Sequence, residues 1–233
     1  MTLTALSHRA ERLLLRLHYQ LWQRKRHNRL VLEHAAGYDL LILPEVMNPH
    51  VFRSGELFAD MLDGSLIAPH HRVLDMGAGS GVVAIAVARW AREVVAVDIN
   101  PAAVRCTRIN VLLNRLEDCV DVRQGDLFQP VHGETFDLVF FNPPYFRGAP
   151  QGGFDYAGRA EDTVERFVAQ LERHLKPGGS ALLVLSTDGD ATSFLDTFVK
   201  HGYSRETVAT RRLLAETLTV FRFRPKSSPP GKE

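Results

Sequence analysis

The chain has 233 residues, with 28 Lys and Arg against 27 Asp and Glu and 45% hydrophobic residues. These values sit near the averages of folded domains and exclude a disordered chain, a collagen and a coiled coil. At about 150 residues per domain, the length predicts one domain of catalytic size with a modest extension. The longest strongly apolar run, Gly81 to Ala88, falls far short of the roughly 20 residues that span a bilayer. The N-terminus has no signal-peptide layout, so the protein is expected to work in the cytoplasm with no membrane partner. Cys106 and Cys119 are the two cysteines. Without a CxxC or a His pair at ligand spacing they predict neither a disulfide framework nor a metal site.

Leu6, Ala10, Leu13, Leu14, Leu17 and Leu21 recur at steps of three and four, the period of a helix with one apolar face. Arg9, Arg12, Arg16, Arg24, Lys25, Arg26 and Arg29 give this stretch a local positive field, suited to solvent or to a phosphate backbone. Tyr38 to Leu43 reads as a short strand, Pro44 and Asn48-Pro49 break the pattern, and a helix follows around Glu56 to Leu62. Residues 1–45 are therefore expected as a short helical extension, 46–225 as the main domain, and 226–233 (KSSPPGKE) as a disordered tail.

From His71 onward, short apolar runs alternate with helical stretches. The order is RVLDMG, a helix from Gly81 to Arg92, EVVAVDI, a helix from Pro101 to Arg115, VDVRQGD, FDLVFFN, a helix from about Glu161 to Leu175, and SALLVLS. Such alternation indicates parallel strands joined by right-handed helical crossovers, the doubly wound α/β class. Tyr203 to Thr210 and Glu216 to Arg224 read as two strands joined by a short turn. They complete a mostly parallel seven-stranded sheet with an antiparallel C-terminal hairpin.

In open α/β sheets the ligand sits beyond the carboxyl ends of the strands, where the strand order reverses. The first strand-to-helix turn, Asp75-Met76-Gly77-Ala78-Gly79-Ser80-Gly81, is the first place to look. Its glycines permit positive φ and close approach to a ligand. Their spacing is G-x-G-x-G, with Val82 where a dinucleotide fingerprint has its third glycine. Asp75 would repel a pyrophosphate and would attract a cation or accept hydrogen bonds from an ammonium group. Both departures disfavour a nicotinamide dehydrogenase. Asp98 ends the next strand at close to the distance from which an acid binds ribose hydroxyls. Asp126, after Gly125, could receive an adenine amino group beside apolar Leu127.

The segments VLDMGAGSG, VDIN and GDLF, in this order, resemble the class I S-adenosylmethionine-dependent methyltransferases, over about Val73 to Arg224. The resemblance implies a Rossmann-like methyltransferase fold and S-adenosylmethionine as cofactor, with S-adenosylhomocysteine as product. It assigns cofactor contacts to Asp75, Gly77, Ala78, Gly79, Gly81, Asp98, Ile99, Asp126 and Leu127, and to Asn142 at the acceptor side.

The fourth strand of the series, FDLVFF, runs into Asn142-Pro143-Pro144-Tyr145. Two prolines fix φ and remove two N–H donors, so the turn is rigid and its carbonyls are left as acceptors. A planar amide or exocyclic aromatic amine could donate one N–H to the Asn142 oxygen and one to the Pro143 carbonyl, and stack on Tyr145. Two fixed acceptors help such a nitrogen to withdraw its lone pair from conjugation as it attacks. NPPY in this place resembles the amino-group methyltransferases that modify glutamine side chains of translation release factors or exocyclic amines of nucleic-acid bases. The resemblance puts a protein glutamine amide first, with the alternatives of an rRNA, tRNA or DNA base amine and of a small-molecule amide or amine. A non-catalytic cofactor-binding subunit is disfavoured by the intact NPPY. The glycine-rich stretch from Arg147 to Ala160 suits either a lid or a plain crossover, and Arg211-Arg212 near the last turn could meet a phosphate or face solvent.

Overall fold

The computed structural model describes residues 29–50, 53–144, 162–187, 189–213 and 216–226. The helix expected over 6–21, Tyr145, the loop after it and the tail beyond Lys226 lie outside the described residues.

The described chain opens with an antiparallel hairpin of β1 (Val31–Ala35) and β2 (Tyr38–Ile42). Its turn is Ala36-Gly37, both at positive φ, the backbone that matches the twist of a two-residue hairpin. After α1 (Ser54–Met61) come β3 (Arg72–Met76), α2 (Val82–Val87), β4 (Glu93–Asp98), α3 (Pro101–Leu113), β5 (Val120–Gln124) and β6 (Phe136–Phe141). The rest is α4 (Thr163–Leu171), β7 (Leu175–Ser186), α5 (Ala191–Lys200), β8 (Tyr203–Arg212) and β9 (Thr217–Pro225). The seven-stranded sheet has the order β5-β4-β3-β6-β7-β9-β8. Strands β3 to β7 are mutually parallel, and β9 and β8 close one edge antiparallel. This is the doubly wound, mostly parallel architecture that the alternation predicts.

Successive strand residues serve opposite faces. Val73, Val94, Ala96, Phe140, Leu182 and Val184 pack with α1, α2, α3 and the hairpin, whereas Leu74, Val95, Val97, Val139, Phe141 and Leu183 pack with α4 and α5. Cover on both faces is why these strands read as nearly unbroken apolar runs. Phe58 of α1 meets Phe140 edge to face at 5.9 Å, which pins α1 over the centre of the sheet. Asn100 caps α3 by accepting from the Ala102 N–H at 2.9 Å, with Pro101 preset for the first turn.

Three elements differ from expectation. The end of the stretch expected as helical extension is strand β1, whose alternation is inverted: Glu33 is buried and Leu32 is 64% exposed. Helix α2 stops at Val87 rather than Arg92, because the chain turns at Arg89-Trp90 to enter β4, where the Arg92 N–H donates to the His71 carbonyl at 3.0 Å. Helix α5, unassigned from sequence, is marked mainly by Phe194 and Phe198 on its buried face. Among the described residues no helix is long and apolar enough to cross a membrane, and no cluster of side chains is arranged to hold a metal ion.

Candidate active site

The chain moves outward from β3 to β4 and β5, then returns to lay β6 on the other side of β3. The carboxyl ends of β3 and β6 thus flank the point where the winding reverses, which opens a crevice between their following loops. Register sets the level of each residue. Met76 pairs with Val97 on one side and Phe141 on the other, and Asp98 pairs with Gln124. Gly77, Asp98, Gly125 and Asn142 therefore follow at nearly one height across four neighbouring strands. At about 4.8 Å per strand the row spans about 15 Å, the scale of a nucleoside with a short side arm.

The glycine loop is held from both sides. Gly77 and Ala78 donate to the Val97 carbonyl at 2.8 and 3.1 Å, and Gly79 donates to Asp98 Oδ2 at 2.8 Å. Asp98 Oδ1 accepts from the Asn100 N–H at 2.8 Å. Gly77, Gly79 and Gly81 all have positive φ. At Gly81 the requirement is also spatial, since a Cβ there would lie 2.8 Å from Thr107 Cγ2.

Asp75 lies below the loop, 3% exposed, with Oδ2 accepting from the Ala84 N–H at 3.0 Å. Burial pushes its carboxyl up to about 7, and Asp98 adds repulsion, against the opposing Ala84 bond. Burial also raises Asp98, opposed by the N–H groups of Asn100, Gly79 and Ile99. No basic side chain pairs with either acid among the described residues. Two acids short of positive charge beneath a backbone-lined loop form a site that a cationic, hydroxyl-bearing ligand would complete.

Asp75, Gly77, Ala78, Gly79, Gly81, Asp98, Asn142, Pro143 and Pro144 all fall along this edge, and Ile99 stands exposed beside Asp98. Gly125 joins them, its N–H donating to the Asp98 carbonyl at 3.0 Å. Asp126, next in the chain, forms an ion pair with Arg166 of α4, and Leu127 is buried in the second-face core at φ 47°. Asn142 Nδ2 donates to Ser54 Oγ, at the start of α1, at 3.1 Å.

Sequence reasoning missed Ser54, Thr107, Asn110, Asn100 and Arg166. Thr107 and Asn110 had a signal, being two polar residues on the face of α3 that otherwise carries Ala102, Ala103, Val104, Cys106 and Val111. Ser54 and Arg166 had none, because their partners come from elements 88 and 40 residues away.

A doubly wound sheet of this order, with a G-x-G-x-G loop after its first parallel strand and an acid ending its second, defines an S-adenosylmethionine-dependent methyltransferase. The methyltransferase small domain family matches residues 48–211, and the chain belongs to that family. It is 28% identical over 183 residues to a candidate protein N5-glutamine methyltransferase of Methanocaldococcus jannaschii, covering 75% of this chain and 91% of that one. It is 31% identical over 192 residues to the release factor glutamine methyltransferase of Gloeobacter violaceus, covering 72% of this chain and 66% of the relative. Among solved structures, the T. thermophilus 16S rRNA N2 G1207 methyltransferase in complex with AdoMet and guanosine superposes with a TM-score of 0.62 at 22% identity, a likeness of fold. That match covers 85% of this chain and 50% of the other. The chain thus spans nearly all of the archaeal relative, about two thirds of the bacterial one and half of the ribosomal RNA enzyme.

Proposed function

We propose that the protein transfers a methyl group to a planar sp2 nitrogen, with a protein glutamine amide as the leading acceptor. The observation that carries this reading is the place of Asn142. It directly follows β6, level with Gly77 and Asp98, its amide nitrogen is bonded to Ser54 Oγ at 3.1 Å, and Pro143-Pro144 stiffen the turn beyond it.

The cofactor, when bound, supplies an electrophilic methyl group. In this reading Asp75 serves the ammonium end, the Gly77–Gly81 backbone borders the amino-acid arm, Asp98 and Ile99 serve the ribose, and Asp126 and Leu127 serve the adenine. Asn142 Oδ1 and the Pro143 carbonyl each accept an N–H bond from the acceptor nitrogen. They hold its lone pair toward the crevice and stabilise the positive charge that grows on it. The nitrogen then gives up one proton to solvent, so no strong base is required. Tyr145, next in the sequence, is the residue to which this reading gives the flat face for the acceptor group. Relatives named for N5-glutamine and release-factor glutamine methylation support the amide as acceptor.

A second reading, a base amine in nucleic acid, is favoured by Arg211 and Arg212. Both are exposed, and Arg211 and Ser186 pair with the same residue, Leu218, which sets Arg211 level with the carboxyl end of β7 on the acceptor side. Radiolabelled methyl transfer into cell extract, separated into protein, RNA, DNA and small molecules, tests both. Label in a glutamine-containing protein is the expected result. Label in RNA or DNA alone would replace the first reading with the second, and no label in any fraction would count against transfer to nitrogen altogether.

A further inference from the structure

We propose that Thr107 and Asn110 of α3 are positioning residues for the cofactor loop, and that through Asn110 the β1–β2 hairpin sets that loop's grip on the cofactor. The proposal rests on the reading of the glycine loop as the cofactor site.

Both side chains are fully buried, where a polar group is costly unless its bonds are made. Thr107 Oγ1 donates to the Gly79 carbonyl at 3.1 Å, and Asn110 Nδ2 donates to the Ser80 carbonyl at 2.9 Å. A trans peptide points its C=O and N–H in opposite directions. Turning the Gly79 carbonyl toward α3 therefore turns the Ser80 N–H away from that helix.

Asn110 also takes both backbone groups of Leu41, accepting from its N–H at 2.7 Å and donating to its carbonyl at 3.0 Å. The side chain pairs with β2 as a neighbouring strand would, and the same amide nitrogen reaches the loop. A second tie runs in parallel. Asn100 Nδ2 donates to the Glu45 carbonyl, just past the hairpin, at 3.3 Å, while the Asn100 N–H donates to Asp98. A displaced hairpin would thus leave Asn110 with broken bonds and loosen the loop that it holds. Asn114 supplies an internal control, because it donates to the Asp39 carbonyl of the same hairpin at 2.9 Å and makes no hydrogen bond to the loop.

The test is calorimetric titration of the full chain with S-adenosylhomocysteine, together with amide hydrogen exchange. Asn110→Ala should weaken the Kd about tenfold, as expected for loss of one well-made buried bond at the site. Thr107→Val keeps the volume and should weaken it several-fold, with Thr107→Ser restoring it, while Asn114→Ala stays near the parent value. In the parent, S-adenosylhomocysteine should slow exchange across 38–42, and in Asn110→Ala it should not. Parent-like affinity in folded Thr107→Val and Asn110→Ala would overturn the proposal, and so would equal losses in Asn110→Ala and Asn114→Ala. If Asn110→Ala fails to fold, Thr107→Val and its serine rescue decide. A parent that binds no S-adenosylhomocysteine would instead remove the underlying reading of the loop, and the proposal with it.

Discussion

Replacing Asp75 with Asn should stabilise the ligand-free protein at neutral and higher pH and flatten its pH response. Burial below the glycine loop raises this carboxyl from 3.8 to about 7. An unfolded chain releases that proton first, so the stability linked to Asp75 is complete below about pH 4 and is lost as the pH climbs through the folded value near 7. Between pH 5 and 8 the loss amounts to roughly 2–3 kcal/mol at about 1.4 kcal/mol per pH unit of difference. For a chain of this length that corresponds to a fall of roughly 5–10 °C in Tm. Asparagine keeps the volume and an oxygen for the Ala84 N–H, and it carries no charge. Its Tm should stay level where the parent's falls. Ligand binding should run the other way, since an ammonium group beside Asp75 favours the carboxylate. S-adenosylhomocysteine should bind the parent more tightly as the pH rises from 5 to 7, with proton release visible as a dependence of calorimetric heat on the buffer, and Asp75→Asn should show neither effect. Parallel Tm profiles for parent and variant would refute the assignment of the shift to burial of Asp75.

Gly81→Ala places a Cβ 2.8 Å from Thr107 Cγ2 at φ +83°, so it should cost about 2–3 kcal/mol in urea denaturation, and an unchanged midpoint would contradict the geometry. Asn142→Ala should lower methyl transfer by about 10²–10³-fold, the usual cost of removing a donor or acceptor that stabilises transition-state charge. Its S-adenosylhomocysteine Kd should remain within about threefold, and full activity would remove Asn142 from the chemistry. Phe58→Ala empties a fully buried site against Phe140 and should cost about 3–5 kcal/mol. Because Phe58 anchors the helix that carries Ser54, transfer should fall further than cofactor binding, and equal losses would contradict that link.

The central strands were legible because burial on both faces makes them apolar throughout, as in EVVAVD and FDLVFF. The candidate site was legible where a single local segment carries it, as in Asp75 to Gly81 and Asn142 to Pro144. Strand β1 was not, because Glu33 turns inward to accept from Asn48 Nδ2 at 2.8 Å, which reverses the alternation that marks a half-buried strand. Asp126 read from sequence as a possible adenine contact, and nothing in its surroundings along the chain marked Arg166, which α4 brings against it. Contacts of this kind depend on which elements become neighbours in space, and spacing along the chain carries no record of them.

The winding of the sheet also governs how the molecule is born. Val73 pairs with Leu138, 65 residues later, so β3, β4, β5 and α3 leave the ribosome before β6 exists. During that interval the strand destined for the middle of the sheet is an outer one, and its bare hydrogen-bonding edge can template pairing with foreign chains. That edge is covered only when β6 arrives, so the half-made sheet is the stage of synthesis most open to mispairing.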